Sequence, residues 1–249
     1  MLIRTVLTVF FLAAASAAPT LAEDQGPWAR PLGVVELFTS QGCSSCPPAD
    51  ALLAELAEDE DLIALAYHVD YWNYLGWKDT LANEENTARQ KAYARMLERK
   101  SVYTPQAVLN GRDHVNGADR QALETKLASM RANGNGLDIS VDIDRRNDTL
   151  FIEIGAGEAA GKANVVLVIF DRRSTVKVES GENAGHTLTY VNSVQSIQPV
   201  GIWKGKATVI ELPASVVEDW GRQNCAVLLQ KMVSDDVPGP ILGAALHET

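Results

Sequence analysis

The sequence predicts an α/β domain, with a central mixed sheet and a helical insertion, followed by a mainly antiparallel, β-sandwich-like domain. Three observations point there. Residues 34–38, apolar but for Glu36, and 62–69, apolar around His68, lie on either side of a helical stretch, the pattern of parallel strands covered on both faces. A hairpin signal at Asn110-Gly111 and a further amphipathic helix close this first unit before the turn-rich Asn133-Gly134-Asn135-Gly136. From Leu137 the apolar period becomes two, with Ile139, Val141 and Ile143 answered across a polar turn by Leu150, Ile152 and Ile154.

Residues 1–22 read as an export signal, with one charge at Arg4, an apolar stretch from Val6 to Ala18 and a small-residue cleavage site at Thr20-Leu21-Ala22. No later apolar run approaches the roughly 18 residues of a membrane span. The mature chain is therefore expected to be periplasmic or secreted, with no stable membrane anchor after cleavage. Removing Arg4 from the 22 basic residues leaves 21 against 32 acidic ones, a formal charge of −11. So acidic a surface repels phosphate backbones and argues against nucleic acid as a partner. Three cysteines cannot make a disulfide framework, so stability must come from packing, for which 46% hydrophobic residues suffice.

The first domain is expected over 31–133. Its opening strand leads into Cys43-Ser44-Ser45-Cys46, and Leu52, Leu53 and Leu56 give the following helix a buried stripe. The insertion spans 71–101. It holds the aromatics Tyr71, Trp72, Tyr74 and Trp77, then a helix with Ala88, Ala92 and Met96 on one side. Glu84 and Glu85 in its first turn and Arg95, Arg99 and Lys100 in its last suit the helix dipole. Asp119 caps the final helix, whose Leu123, Leu127 and Met130 share a face. The second domain, 137–249, offers further strands at Val165 to Phe170, Thr175 to Glu179, Thr187 to Ile197, Ala207 to Leu212 and Cys225 to Val233. About seven short strands with turns between them suggest a small sandwich.

The pair Cys43 and Cys46 sits where a strand hands over to a helix. Unsatisfied N–H groups and the positive dipole end at a helix start favour thiolate over thiol. Two intervening residues let the second sulfur reach the first, so a mixed disulfide at Cys43 can be resolved by Cys46. Half of a zinc site is an alternative, but the only other cysteine is the solitary Cys225. A purely structural disulfide is another, although so small a loop yields little stabilisation.

With Thr104-Pro105 opening a later strand, residues 33–132 resemble the thioredoxin fold. More closely, four stretches resemble the secreted bacterial thioredoxin-like family of domain of unknown function 1223. They are Glu36 through Asp50, His68-Val69-Asp70-Tyr71-Trp72, Ser101 through Gln106 and Gly181-Glu182-Asn183. The resemblance implies Cys43 as nucleophile, Cys46 as resolving thiol and Pro105 as a cis proline packed against them. It also implies that the Thr104 backbone bonds an extended substrate by strand addition. Tyr103 and Trp72 flank that position, and the aromatics form either a substrate-facing surface or packing between insertion and body. Thioredoxins keep a buried acid behind the dithiol, and Glu36 is the nearest candidate; the other readings make it a solvent-facing strand residue or a salt-bridge partner. Gln41-Gly42 replaces the familiar aromatic before the first cysteine. Pro47-Pro48, lacking N–H donors, predicts an irregular helix start.

The first functional expectation is an exported thiol-disulfide oxidoreductase acting on protein thiols or disulfides, which requires no cofactor. A second is copper handling through Cys43, Cys46 and His68, since two thiolates and an imidazole suit Cu(I). A third is a partner-binding module on the same scaffold. In the second domain, Asp171, Glu182, Asn183 and His186 form a candidate loop cluster, and Cys225 is expected to be a buried, inert thiol.

Overall fold

A computed structural model describes residues 31–157, 162–217, 219, 223–234 and 236–247. The segment read as an export signal lies outside them. Strand β1 (Gly33–Thr39) runs into the dithiol loop and helix α1 (Pro47–Leu56), and β2 (Leu62–His68) follows. A single 3-10 turn (Asn73–Leu75) and α2 (Glu84–Met96) fill the expected insertion. Then come β3 (Gln106–Leu109), β4 (Asp113–Asn116) and α3 (Arg120–Ala132). The rest is strand: β5 (Val141–Arg146), β6 (Thr149–Ile154), β7 (Ala163–Lys177), β8 (Thr187–Trp203), β9 (Thr208–Pro213), β10 (Gln223–Ser234) and β11 (Val237–His247), with one 3-10 turn (Ala214–Val216) after β9.

Eight strands form one mixed sheet in the order β11-β10-β7-β8-β2-β1-β3-β4, and β5-β6-β9 form a second, antiparallel sheet. β1 is parallel to β2 and antiparallel to β3, as expected when a helix connects the first pair. The division read in the sequence falls between α3 and β5, and the large sheet continues across it. Its seam is narrow: Ala66 of β2 stands opposite Ser193 of β8, and the Asn192 amide donates to the Ala64 carbonyl at 2.9 Å.

Three apolar clusters follow from strand alternation. Val35 and Leu37 point to Leu52, Leu53, Leu56, Leu123 and Leu127, so α1 and α3 cover that face of β1–β4. Val34, Phe38, Leu65 and Tyr67 point the other way, to Tyr93 of α2, in a cluster that also holds Val166, Val168, Phe170 and Leu228. The alternate residues of β7 and β10, among them Val165, Leu167, Val227 and Leu229, meet Val141, Ile143, Leu150 and Ile152 of the small sheet. This last contact is the two-layered, sandwich-like half that the period-two pattern predicts. α2 therefore packs on both halves of the chain.

Two sequence readings change in detail. The separate strands expected at 165–170 and 175–179 are one strand, β7, which pairs with β8 along Ala163–Lys177 with bulges that absorb the irregular register. β11 is not among the strands read in the sequence, and it contains Pro238-Gly239-Pro240. It lies at the edge of the large sheet, where a missing N–H costs no ladder bond, and its pairing with β10 shifts register beside the prolines.

Candidate functional site

The dithiol loop connects β1 to α1. Cys43 and Cys46 are joined in a disulfide with Cα atoms 5.4 Å apart. Both cysteines are buried, at 1% and 0% exposure, while Ser44 and Ser45 between them face solvent. Helix α1 starts at Pro47 with Cys46 as its N-cap residue, so the two prolines occupy the first positions of the helix. These are the positions whose N–H groups have no intrahelical partner, so the expected irregular start does not arise. The Cys46 carbonyl accepts from Ala49 and Asp50 N–H at 2.8 and 3.1 Å.

Three segments close around this loop. The peptide bond between Thr104 and Pro105 is cis, and the Pro105 carbonyl accepts from Gly117 N–H at 3.1 Å. Gly117 has no room for a side chain, since a Cβ there would meet Leu37, Ala49 and Pro105. The aromatic segment lies alongside. Trp72 donates through Nε1 to Thr104 Oγ1 at 2.8 Å, and a Cβ on Gly42 would approach Trp72 Cβ to 3.2 Å. Trp72 thus bridges the dithiol loop and the proline loop. Trp77 donates to Gln41 Oε1 at 2.8 Å, and Tyr74 is the most exposed large side chain here, at 78%. Tyr103 is directed elsewhere, its hydroxyl meeting His114 Nδ1 at 2.8 Å and donating to the Val115 carbonyl.

The third segment comes from the second half of the chain. In the turn between β7 and β8, buried Asn183 donates to the carbonyls of Gln41 (2.9 Å) and Cys43 (3.0 Å). Its neighbour Glu182, which is exposed, accepts from Ser44 N–H at 3.3 Å. Ser180 donates to the Gly76 carbonyl at 2.6 Å, tying the turn to the aromatic segment as well. Of the loop cluster read in the sequence, Glu182 and Asn183 therefore reach the dithiol. His186 closes the turn through its backbone, and Asp171 lies on β7 opposite Ser193.

Two buried acids occupy opposite faces of β1. Glu36 shares the Val34 and Phe38 face, away from α1. It pairs with Arg89 Nε at 2.7 Å and accepts from the Tyr93 hydroxyl. Gln230 completes the network, accepting from Arg89 and donating to Tyr93 at 2.9 and 2.8 Å. Of the three sequence readings, the ion-pair partner describes this geometry, and burial rules out the solvent-facing one. Burial of both phenols, reinforced by the Glu36 charge and opposed by Arg89, holds Tyr67 and Tyr93 well above the usual tyrosine range.

The acid on the dithiol side is Asp50, which the sequence reading passed over. It lies one helical turn after Cys46, and Thr39 Oγ1 donates to its Oδ1 at 2.6 Å. Burial pushes its carboxyl up from 3.8 to about 7, against the lowering effect of the Thr39 bond. Asp, at a first-turn position, reads in sequence as a partner for the helix dipole, so only burial distinguishes it. Behind it, His68 Nδ1 meets Asp79 Oδ2 at 2.9 Å with both side chains fully buried. Asp79 also accepts from Gln41, Leu81 and Ala82 N–H. Burial alone would raise the Asp79 carboxyl, but His68 and these donors outweigh it and hold it low. Tyr190 stacks edge-on to His68 at 4.6 Å, and its hydroxyl is raised by burial and by both acids.

His68 is thereby committed to Asp79. Among the described residues, no group of three His, Cys, Asp or Glu side chains is disposed to hold a metal ion. Cys225 is a buried free thiol in β10, pushed up to about 12 by burial. No helix among the described residues is long and apolar enough to cross a membrane.

A crystal structure of protein AGR_C_4864 from Agrobacterium tumefaciens is 47% identical to this chain, with a TM-score of 0.82 over 89% of this chain and 96% of that one. HBP35 of Porphyromonas gingivalis, at 13% identity and a TM-score of 0.60 over 90% of this chain and 76% of that one, is similar in fold alone. No curated protein matches the chain. Residues 34–230, which include the dithiol, the Thr104-Pro105 bond and the Asn183 turn, match the model of the family described as Protein of unknown function (DUF1223), and the chain belongs to that family.

Proposed function

We propose that this protein is an exported thiol-disulfide oxidoreductase built on a thioredoxin-like arrangement, exchanging disulfides with protein substrates through Cys43 and Cys46. The observation that carries the reading is the disulfide itself. It lies at the start of α1, with a cis proline loop tied to it through Trp72 and an acid near neutrality one turn along the helix. The strand order β2-β1-β3-β4, with β1 and β2 parallel and β3 and β4 as a hairpin, supports the thioredoxin-like part.

Acting as a reductant, the reduced protein begins with the Cys43 thiolate attacking one sulfur of a substrate disulfide. A mixed disulfide forms and the other substrate sulfur leaves as a thiolate. Cys46 then loses its proton to Asp50, and its sulfur attacks Cys43, expelling the second substrate thiolate. Two electrons pass from the protein dithiol to the substrate, whose thiolates take up the proton from Asp50 and one from water. An acid titrating close to neutrality suits this transfer in both directions. In this reading an extended substrate chain adds alongside the proline loop, where Trp72 holds Thr104.

The test is trapping. A Cys46→Ser variant, displayed in the exported compartment, accumulates mixed disulfides through Cys43, whereas Cys43→Ser accumulates none. If neither oxidised nor reduced protein exchanges with a protein dithiol or disulfide, and Cys46→Ser traps nothing, the redox reading is wrong and the partner-binding reading replaces it.

A further inference from the structure

The dithiol loop is built from the first half of the chain, yet the carboxylate against it is delivered by a turn from the second. Asn183, on that turn, is buried and holds the carbonyls of Gln41 and Cys43, which fixes the turn relative to the loop. Glu182 then meets Ser44 N–H, the amide immediately after the first cysteine. Of the charged groups set against this loop, Asp50 of α1, His68 of β2 and Asp79 lie buried beneath it, with the Tyr190 phenol of β8. Lys78 is the cation of the segment that packs on Gln41. Glu182 is the one among them that is both exposed and bonded to the dithiol backbone.

We propose that Glu182 is a positioning residue that restrains the nucleophile: its carboxylate occupies the Ser44 amide and sets a negative charge against the loop in which Cys43 ionises on reduction. The charge opposes the thiolate and withdraws a backbone donor from it, so the reduced protein holds fewer Cys43 thiolates at neutral pH than the same loop without Glu182. A less stable thiolate means a less oxidising dithiol, so the turn biases the protein toward donating electrons. This deepens the redox reading and rests on it for its biological meaning, but ionisation of Cys43 is a property of the reduced protein whether or not it turns over a substrate.

The experiment follows the rate of Cys43 alkylation by iodoacetamide against pH, in mature protein carrying Cys46→Ser so that a single reactive thiol remains. Adding Glu182→Gln keeps an acceptor for Ser44 and removes the charge. The midpoint of the profile should fall, with alkylation about threefold faster near pH 6, an effect sized for an exposed charge. Glu58→Gln, in the turn that follows α1, should leave the profile in place. As a measurement that needs no change at Glu182, salt at about 1 M should lower the midpoint in the Cys46→Ser parent and move the Glu182→Gln protein less. Superimposable profiles with and without Glu182→Gln, or equal salt shifts in the two, would overturn the proposal. Failure of the wild-type protein to exchange disulfides would instead overturn the redox reading and leave this result intact.

Discussion

Asn183 donates to the carbonyl of Cys43 across 140 positions of sequence. The same amide serves the carbonyl of Gln41, so one buried side chain satisfies two acceptors of the dithiol loop. Asn183→Ala leaves both without that donor. Equilibrium unfolding in urea should show a loss of about 1–3 kcal/mol, and hydrogen exchange should speed up at the amides of residues 41–45. An unchanged midpoint with unchanged exchange would show that the loop holds its shape unaided.

Asp50 makes stability fall as pH rises. Its carboxyl titrates at about 7 in the folded chain against 3.8 ordinarily, because burial favours the neutral form. The native state therefore binds the proton more tightly. The associated stability is fully present below about 3.8 and is lost as pH climbs to about 7, after which the slope vanishes. Asp50→Asn removes this dependence. For the oxidised protein at pH 8 the variant should be more stable, by up to roughly 4 kcal/mol, with the gap closing toward pH 4. The same variant should slow the resolving step of disulfide exchange. Parallel wild-type and variant stability curves over that range would contradict this account of Asp50.

Glu36 and Arg89 form a buried ion pair at 2.7 Å on the opposite face of β1. Glu36→Gln leaves the guanidinium without its counter-charge and should cost about 3–5 kcal/mol, measured by denaturant unfolding. Because the pair faces away from α1, the folded fraction of Glu36→Gln should keep its disulfide-exchange rate constant. A folded variant with exchange reduced by orders of magnitude would return Glu36 to the reaction as a proton carrier.

Gly111 adopts φ +61° in the turn between β3 and β4, and a Cβ there would strike the Gly239 carbonyl of β11. Gly111→Ala combines left-handed backbone strain with a clash against a distant strand pair, so thermal unfolding should report a loss of about 1–3 kcal/mol. Gly134→Ala offers the comparison: it has a similar φ of +67° but nothing within 4 Å of the added carbon, so it should cost less.

What the sequence revealed was local. The apolar runs of β1 and β2, the Asp119 cap whose side chain accepts from Ala122 N–H, and the Asn110-Gly111 turn with both residues at positive φ are each decided by neighbours a few positions away. Cys43 and Cys46 were legible for the same reason, whereas the cis bond at Thr104-Pro105 was expected only from the family resemblance. What escaped depended on distance. Asp50 differs from any first-turn acid only through its burial beneath Thr39, and Asn183 from any turn asparagine only through the loop it reaches. β11 escaped too: a strand tolerates its prolines at a sheet edge, and only the strand order places it there.

The seam between β2 and β8 also imposes an order on biosynthesis. A ribosome delivers Cys43 and Cys46 well before it delivers Asn183, so the sulfurs must emerge while half of their enclosure has yet to be made. Only when the β7–β8 turn arrives can the Asn183 amide fasten the carbonyls of Gln41 and Cys43.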